Sequence, residues 1–70
     1  MTMRDAIKIA KKTVGDSAKV SAHYGNNKRT DRAIQITGCF LDEAKNYAAE
    51  IANAVKGKVA AQAGFVCVWL

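Results

Sequence analysis

The chain predicts an α+β fold, a two-layer sandwich of order α-β-β-α-β in which a three-stranded sheet carries two helices on one face. Three observations predict it. Apolar residues recur at spacings of three and four in two separate stretches. Two short alternating runs lie between them, joined by a loop rich in Asn and charge. A β-branched and aromatic run, FVCVWL, follows the second helical stretch. Seventy residues allow one domain, spanning residues 1–70.

The first element is a helix. Thr2 followed three residues later by Asp5 is a capping-box-like start, and Gly15 supplies a left-handed stop. Met3, Ala6, Ile7, Ala10 and Val14 share one side of it. Arg4, Lys8, Lys11 and Lys12 share the opposite side as a stripe. Ile9 falls outside the apolar side.

Residues 18–24, AKVSAHY, alternate in the manner of a strand: Val20, Ala22 and Tyr24 face one way, Ser21 and His23 the other. Residues 32–37, RAIQIT, alternate too, with Ile34 and Ile36 opposed to Ala33, Gln35 and Thr37. The segment between them, GNNKRTD, is polar and contains Gly and Asn, which tolerate positive φ. The two runs predict an antiparallel hairpin with a long loop.

Phe40, Ala44, Tyr47, Ala48, Ile51 and Val55 mark the second helix, with Asp42 as N-cap, Glu43 at its positive end and Gly57 as the stop after Lys56. Residues 59–63, VAAQA, read as a helix tail, a loop or the start of the strand that follows. Residues 64–70, GFVCVWL, read as a strand. A helical crossover makes that strand parallel to the second strand if the two are neighbours; placed beside the first strand it runs antiparallel. No internal repeat is visible.

If Val20, Ala22, Tyr24, Ile34 and Ile36 face the helices, Val66, Val68 and Leu70 are their natural companions. The outer face then carries His23, Phe65 and Trp69, with Ser21, Ala33, Gln35, Thr37 and Cys67. Turned the other way, the last strand puts Phe65 and Trp69 in the core. An outward Phe and Trp make an apolar patch that wants a cover, and they define a candidate aromatic interface together with His23.

Charge is the most uneven feature. The net charge is +5. Residues 1–35 hold eight Lys and Arg against three Asp, while the remainder holds three of each sign, so the whole excess sits in the first half. The candidate partner-binding residues are Lys28, Arg29 and Arg32 with Asn26 and Asn27 in the hairpin loop, and Arg4, Lys8, Lys11 and Lys12 on the helix. Arginine forks suit phosphate and carboxylate, and lysines act as point charges.

Catalytic and metal chemistry is hard to find. His23 is the single histidine, and the two cysteines, Cys39 and Cys67, lack zinc-site spacing. They are expected as reduced thiols of a cytoplasmic protein rather than as a disulfide. Asp42 and Glu43 are adjacent and diverge on a helix, so they make no acid/base pair. The glycines form no phosphate-binding pattern. No apolar run approaches the roughly 20 residues of a membrane span. The expectation is a non-enzyme with no metal and no cofactor. A core this small also makes a homodimer an economical way to gain buried area.

The functional expectation is a small binding protein, an inhibitor or accessory factor. It docks its basic helix face and hairpin loop on an acidic or phosphate-facing surface of a protein or nucleoprotein. Small phage proteins that block host defence nucleoproteins, the anti-CRISPR proteins, have this general character of size and missing chemistry, although no residue pattern carries a family resemblance. The alternative is a direct, weakly sequence-specific DNA- or RNA-binding module whose affinity comes from counterion release.

Overall fold

Thr2 opens the first helix as expected: its hydroxyl oxygen accepts the Asp5 N–H at 3.2 Å. The helix ends where Gly15 takes a φ of 58° and donates its N–H to the Lys11 carbonyl. The computed structural model describes residues 2–62 and 65–70. Its elements are α1 (Met3–Val14), β1 (Lys19–Tyr24), β2 (Arg32–Thr37), α2 (Leu41–Val55), β3 (Lys58–Gln62) and β4 (Phe65–Trp69).

The sheet has four strands, not three, in the order β1-β2-β4-β3, with every neighbouring pair antiparallel. The ambiguous segment after α2 is β3. It turns the chain once more before β4, so β4 meets β2 antiparallel, and neither the parallel pairing nor the place beside β1 is realised. Ala63 and Gly64, at the junction of the two expected runs, lie outside the described residues.

Both helices pack on one face of this sheet. Ala6, Ala10 and Val14 of α1 and Ala44, Ala48 and Ile51 of α2 meet Ile34, Ile36, Val66 and Val68 in one buried cluster. Alanines at the helix contacts remove side-chain bulk and let the backbones approach the sheet closely. The valines of β4 therefore face the helices, and Phe65, Cys67 and Trp69 face outward. Val20, Tyr47, Val55 and Leu70 pack at the margin of the cluster. β1 is an edge strand, and the helices cover only its start. Tyr24, expected on the covered side, is 43% exposed, and Ala22 is exposed as well.

Two helix ends depart from expectation. α2 begins at Leu41 with Phe40 as its N-cap residue and without a side-chain cap, so Asp42 lies in the first turn beside Glu43 rather than at the cap. Both carboxylates still oppose the positive end of the helix. Phe40, expected in the core, is 81% exposed. It sits outside the helix in extended backbone and so escapes the helical periodicity. At the other end Lys56, not Gly57, takes the left-handed conformation, with φ 57° and ψ 40°. A Cβ on Gly57 would collide with the Trp69 carbonyl and come within 2.9 Å of the Val68 side chain. Glycine stands where contact with β4 leaves no room, and the left-handed turn falls to its neighbour.

The element order has a consequence that the residue pattern hides. Each half of the chain is a helix followed by a hairpin, and the halves join through β2 and β4. The pairing sets Ile34 against Val68, Gln35 against Cys67 and Ile36 against Val66. The topology of the two halves is thus related by an approximate two-fold across the β2–β4 ladder.

Candidate binding surface

The β1–β2 loop is braced by its own hydrogen bonds. Gly25 N–H donates to the Asp31 carbonyl at 2.8 Å, and the Asn27 carbonyl accepts from Thr30 and Asp31 at 3.2 and 2.7 Å. The Asn27 side-chain oxygen accepts the Arg29 N–H at 2.9 Å, and the Asp31 carboxylate accepts the Asn27 N–H at 3.2 Å. Gly25 is required, because a Cβ there would come within 2.8 Å of the Asp31 Cβ. Asn27 thus serves as a turn residue. Its backbone and side-chain oxygens are engaged within the loop, while Asn26, Lys28 and Arg29 are exposed at the apex.

Arg32 differs from its neighbours. It begins β2 opposite Tyr24, and its carbonyl accepts the Leu70 N–H at 2.9 Å. Its side chain is half-buried, and its Nε is buried without a hydrogen-bond partner among the described residues. A buried donor left unpaired is costly. Arg32 therefore belongs to the base of the loop rather than to its free tip.

His23, two residues before the loop, projects from the outer face of the sheet. Its ring lies 6.0 Å from Phe65 and 5.7 Å from Trp69, tilted to the first and edge-on to the second. Beneath this trio Ala33 and Cys67 are fully buried, although no helix covers that face. The three rings are thus a small second core on the open side. Burial pushes the Cys67 thiol above its ordinary range by desolvating the thiolate. Cys39 is half-buried and, like Cys67, is a free thiol.

These positions decide which predicted residues share a surface. Trp69 pairs with Ala33, and Ala33 with His23, at the end of the sheet that carries the loop. The aromatic trio therefore adjoins the cationic tip. Arg4, Lys8, Lys11 and Lys12 are exposed or nearly so on the far side of α1. In a two-layer sandwich that side points away from the outer face of the sheet. No flat partner touches the helix stripe and the aromatic trio together.

At the opposite end of the sheet, where β2 turns into α2, lie two clefts. One, of about 130 Å³, is lined by Ile36, Thr37, Cys39, Leu41, Ala44 and Phe65. The other is shallower and involves Ser17, Gly38, Cys39, Phe40 and Glu43. The sequence pattern missed this corner because it assigned Phe40 to the helix core. Among the described residues no three His, Cys, Asp or Glu side chains gather as a metal site, and no helix is long and apolar enough to cross a membrane. No protein-family model matches the chain, and no curated protein and no solved structure is significantly similar to it.

Proposed function

We propose that the protein is a non-enzymatic binding module, an inhibitor or accessory factor. It docks the tip residues Lys28 and Arg29 and the adjoining His23–Phe65–Trp69 face on an acidic or phosphate-facing surface of a partner protein or nucleoprotein. The observation that carries this reading is the contiguity of a braced cationic loop with an aromatic cluster on an uncovered sheet face. A tip held by its own hydrogen bonds loses little conformational freedom on binding. Half-buried aromatic rings beside it offer the anchor that interfaces favour. In this reading the α1 stripe steers approach by its charge rather than making the contact.

Direct binding of single-stranded nucleic acid is the second reading, favoured by aromatic residues on a sheet beside cations. The ring geometry weighs against it. Base stacking favours an open, level platform of ring faces, whereas His23 stands tilted to Phe65 and near-perpendicular to Trp69.

The test is capture of partners from a bacterial lysate at physiological salt, with and without nuclease, by the wild-type protein, a Lys28→Ala/Arg29→Ala double variant and Trp69→Ala. Retention of one protein complex after nuclease, lost in both variants, is the expected result. Recovery of bulk nucleic acid that disappears with nuclease overturns the first reading in favour of the second.

A further inference from the structure

We infer that the corner between β2 and α2 is a self-association surface, in which Phe40 of one copy enters a small cleft of a second copy and that copy's Phe40 enters the first in return. The inference does not rest on the proposed function: the corner lies at the end of the sheet away from the cationic tip, and it shares with the aromatic face only Phe65, which lines the cleft from β4.

Phe40 is the most exposed large apolar side chain among the described residues, at 81%. Its placement is built into the backbone. Gly38 turns the chain with a φ of 78°, and the extended Phe40 then precedes the first turn of α2. Next to the ring lies a cleft that would hold it. The 130 Å³ cleft is lined by Cys39 and Leu41, the two sequence neighbours of Phe40, but not by Phe40 itself. Knob and hole thus sit side by side on one surface. That arrangement is self-complementary about a two-fold axis.

Size selects the occupant. An apolar cavity of about 150 Å³ accommodates a benzene ring, whereas drug-sized ligands occupy about 300 Å³ or more. The cleft is of a size for one phenyl ring.

Charge permits the pairing. The net +5 opposes self-association, but the excess lies in the first half of the chain. The corner is mixed in sign: Asp42 and Glu43 flank Phe40 in the first turn of α2, and the Lys19 side chain lies against Gly38. Two-fold pairing therefore brings groups of both signs, rather than the net positive charge of the chain, to the contact.

Sedimentation equilibrium of the full chain at physiological salt, from about 10 µM to about 1 mM, tests the inference over the range of weak association. A reversible monomer–dimer equilibrium is expected. Phe40→Ala should raise the dissociation constant by at least about tenfold, as loss of a central aromatic anchor does. Its circular dichroism, and its melting temperature at concentrations low enough for both proteins to be monomeric, should not change, because the ring is outside the core. A short bismaleimide supplies an independent readout: Cys67 is fully buried, so the reagent should link two copies through Cys39 in the wild-type protein and not in Phe40→Ala. A monomer throughout the range overturns the inference. So does a dimer indifferent to Phe40→Ala, or one that the reagent fails to link.

Discussion

His23 meets Trp69 edge-on across β2, with ring centroids 5.7 Å apart and planes inclined at 76°. The residue beneath them is Ala33, paired in register with both. A methyl group at position 33 is what lets rings from β1 and β4 touch over the intervening strand. Ala33→Leu should push the rings apart and cost about 1–3 kcal/mol, the usual range for over-packing. Loss of the Trp69 ring-current shift on the His23 protons would report the separation by NMR.

Trp69 lies two residues from Cys67 on the same outward face of β4, where its ring is placed to shield the thiol. Trp69→Ala should make Cys67 accessible to thiol reagents that the wild-type protein resists at that site, while Cys39 reacts similarly in both. The expected readout is a second rapidly labelled thiol by mass spectrometry. An unchanged Cys67 rate would mean that the aromatic trio is not what buries it.

Cys67 further predicts an alkaline weakness. Its pKa is raised in the fold, so above the ordinary thiol value of 9.0 the unfolded chain releases a proton that the folded chain retains. The unfolded state then binds fewer protons, and stability falls as pH rises from about 9 until the folded-state pKa is passed. Urea titrations between pH 7 and pH 10.5 should show this slope in the wild-type protein and a shallower one in Cys67→Ala. Equal slopes would remove Cys67 as the cause.

The end of α2 offers a gain in stability. Lys56 carries a left-handed backbone that suits glycine, at a strain of about 1 kcal/mol for a residue with a Cβ. Lys56→Gly should therefore stabilise the protein by up to about 1 kcal/mol, whereas Gly57→Ala should destabilise it by contact with β4. Thermal melts of the two variants should move in opposite directions.

In the core, Ile51 is fully buried against the sheet among alanines. Its truncation to alanine should cost about 2–5 kcal/mol, the range for deleting a large aliphatic side chain from a packed interior. For a domain of this size that is enough to unfold a large fraction of the molecules, measurable as a shift in the denaturant midpoint.

Periodicity and turn chemistry carried most of the fold. Both helices and the first hairpin follow from residue spacing, and Thr2 and Gly15 bound α1 as their chemistry demands, whereas the buried face of β4 stayed open because both sides of that run are apolar. β3 was not legible, because Val59-Ala60-Ala61 has neither strong alternation nor β-branched density. It becomes a strand by pairing with β4, which is tertiary context. The roles of Phe40 and Gly57 were hidden for a related reason: their positions answer to a turn and to a neighbouring strand rather than to their own helix. Of the candidate surface, the loop cations and the aromatic residues were legible as separate signals. Their contiguity, and the exclusion of the α1 stripe from the same plane, needed the sheet order.

The approximate two-fold relation between the halves bears on how the chain finds its structure. Each hairpin closes over a short stretch of sequence, so its entropy cost is small. The β2–β4 ladder is the exception: it joins strands from separate halves, from Ile36 with Val66 to Ala33 with Trp69. Docking of two locally formed halves is then the slow kinetic step, as expected when non-local pairing closes a fold. A chain severed in the connection between Thr37 and Leu41 should reassemble from its two fragments at a rate that depends on the concentration of each. That dependence would assign the barrier to folding to the ladder that sets Gln35 against Cys67.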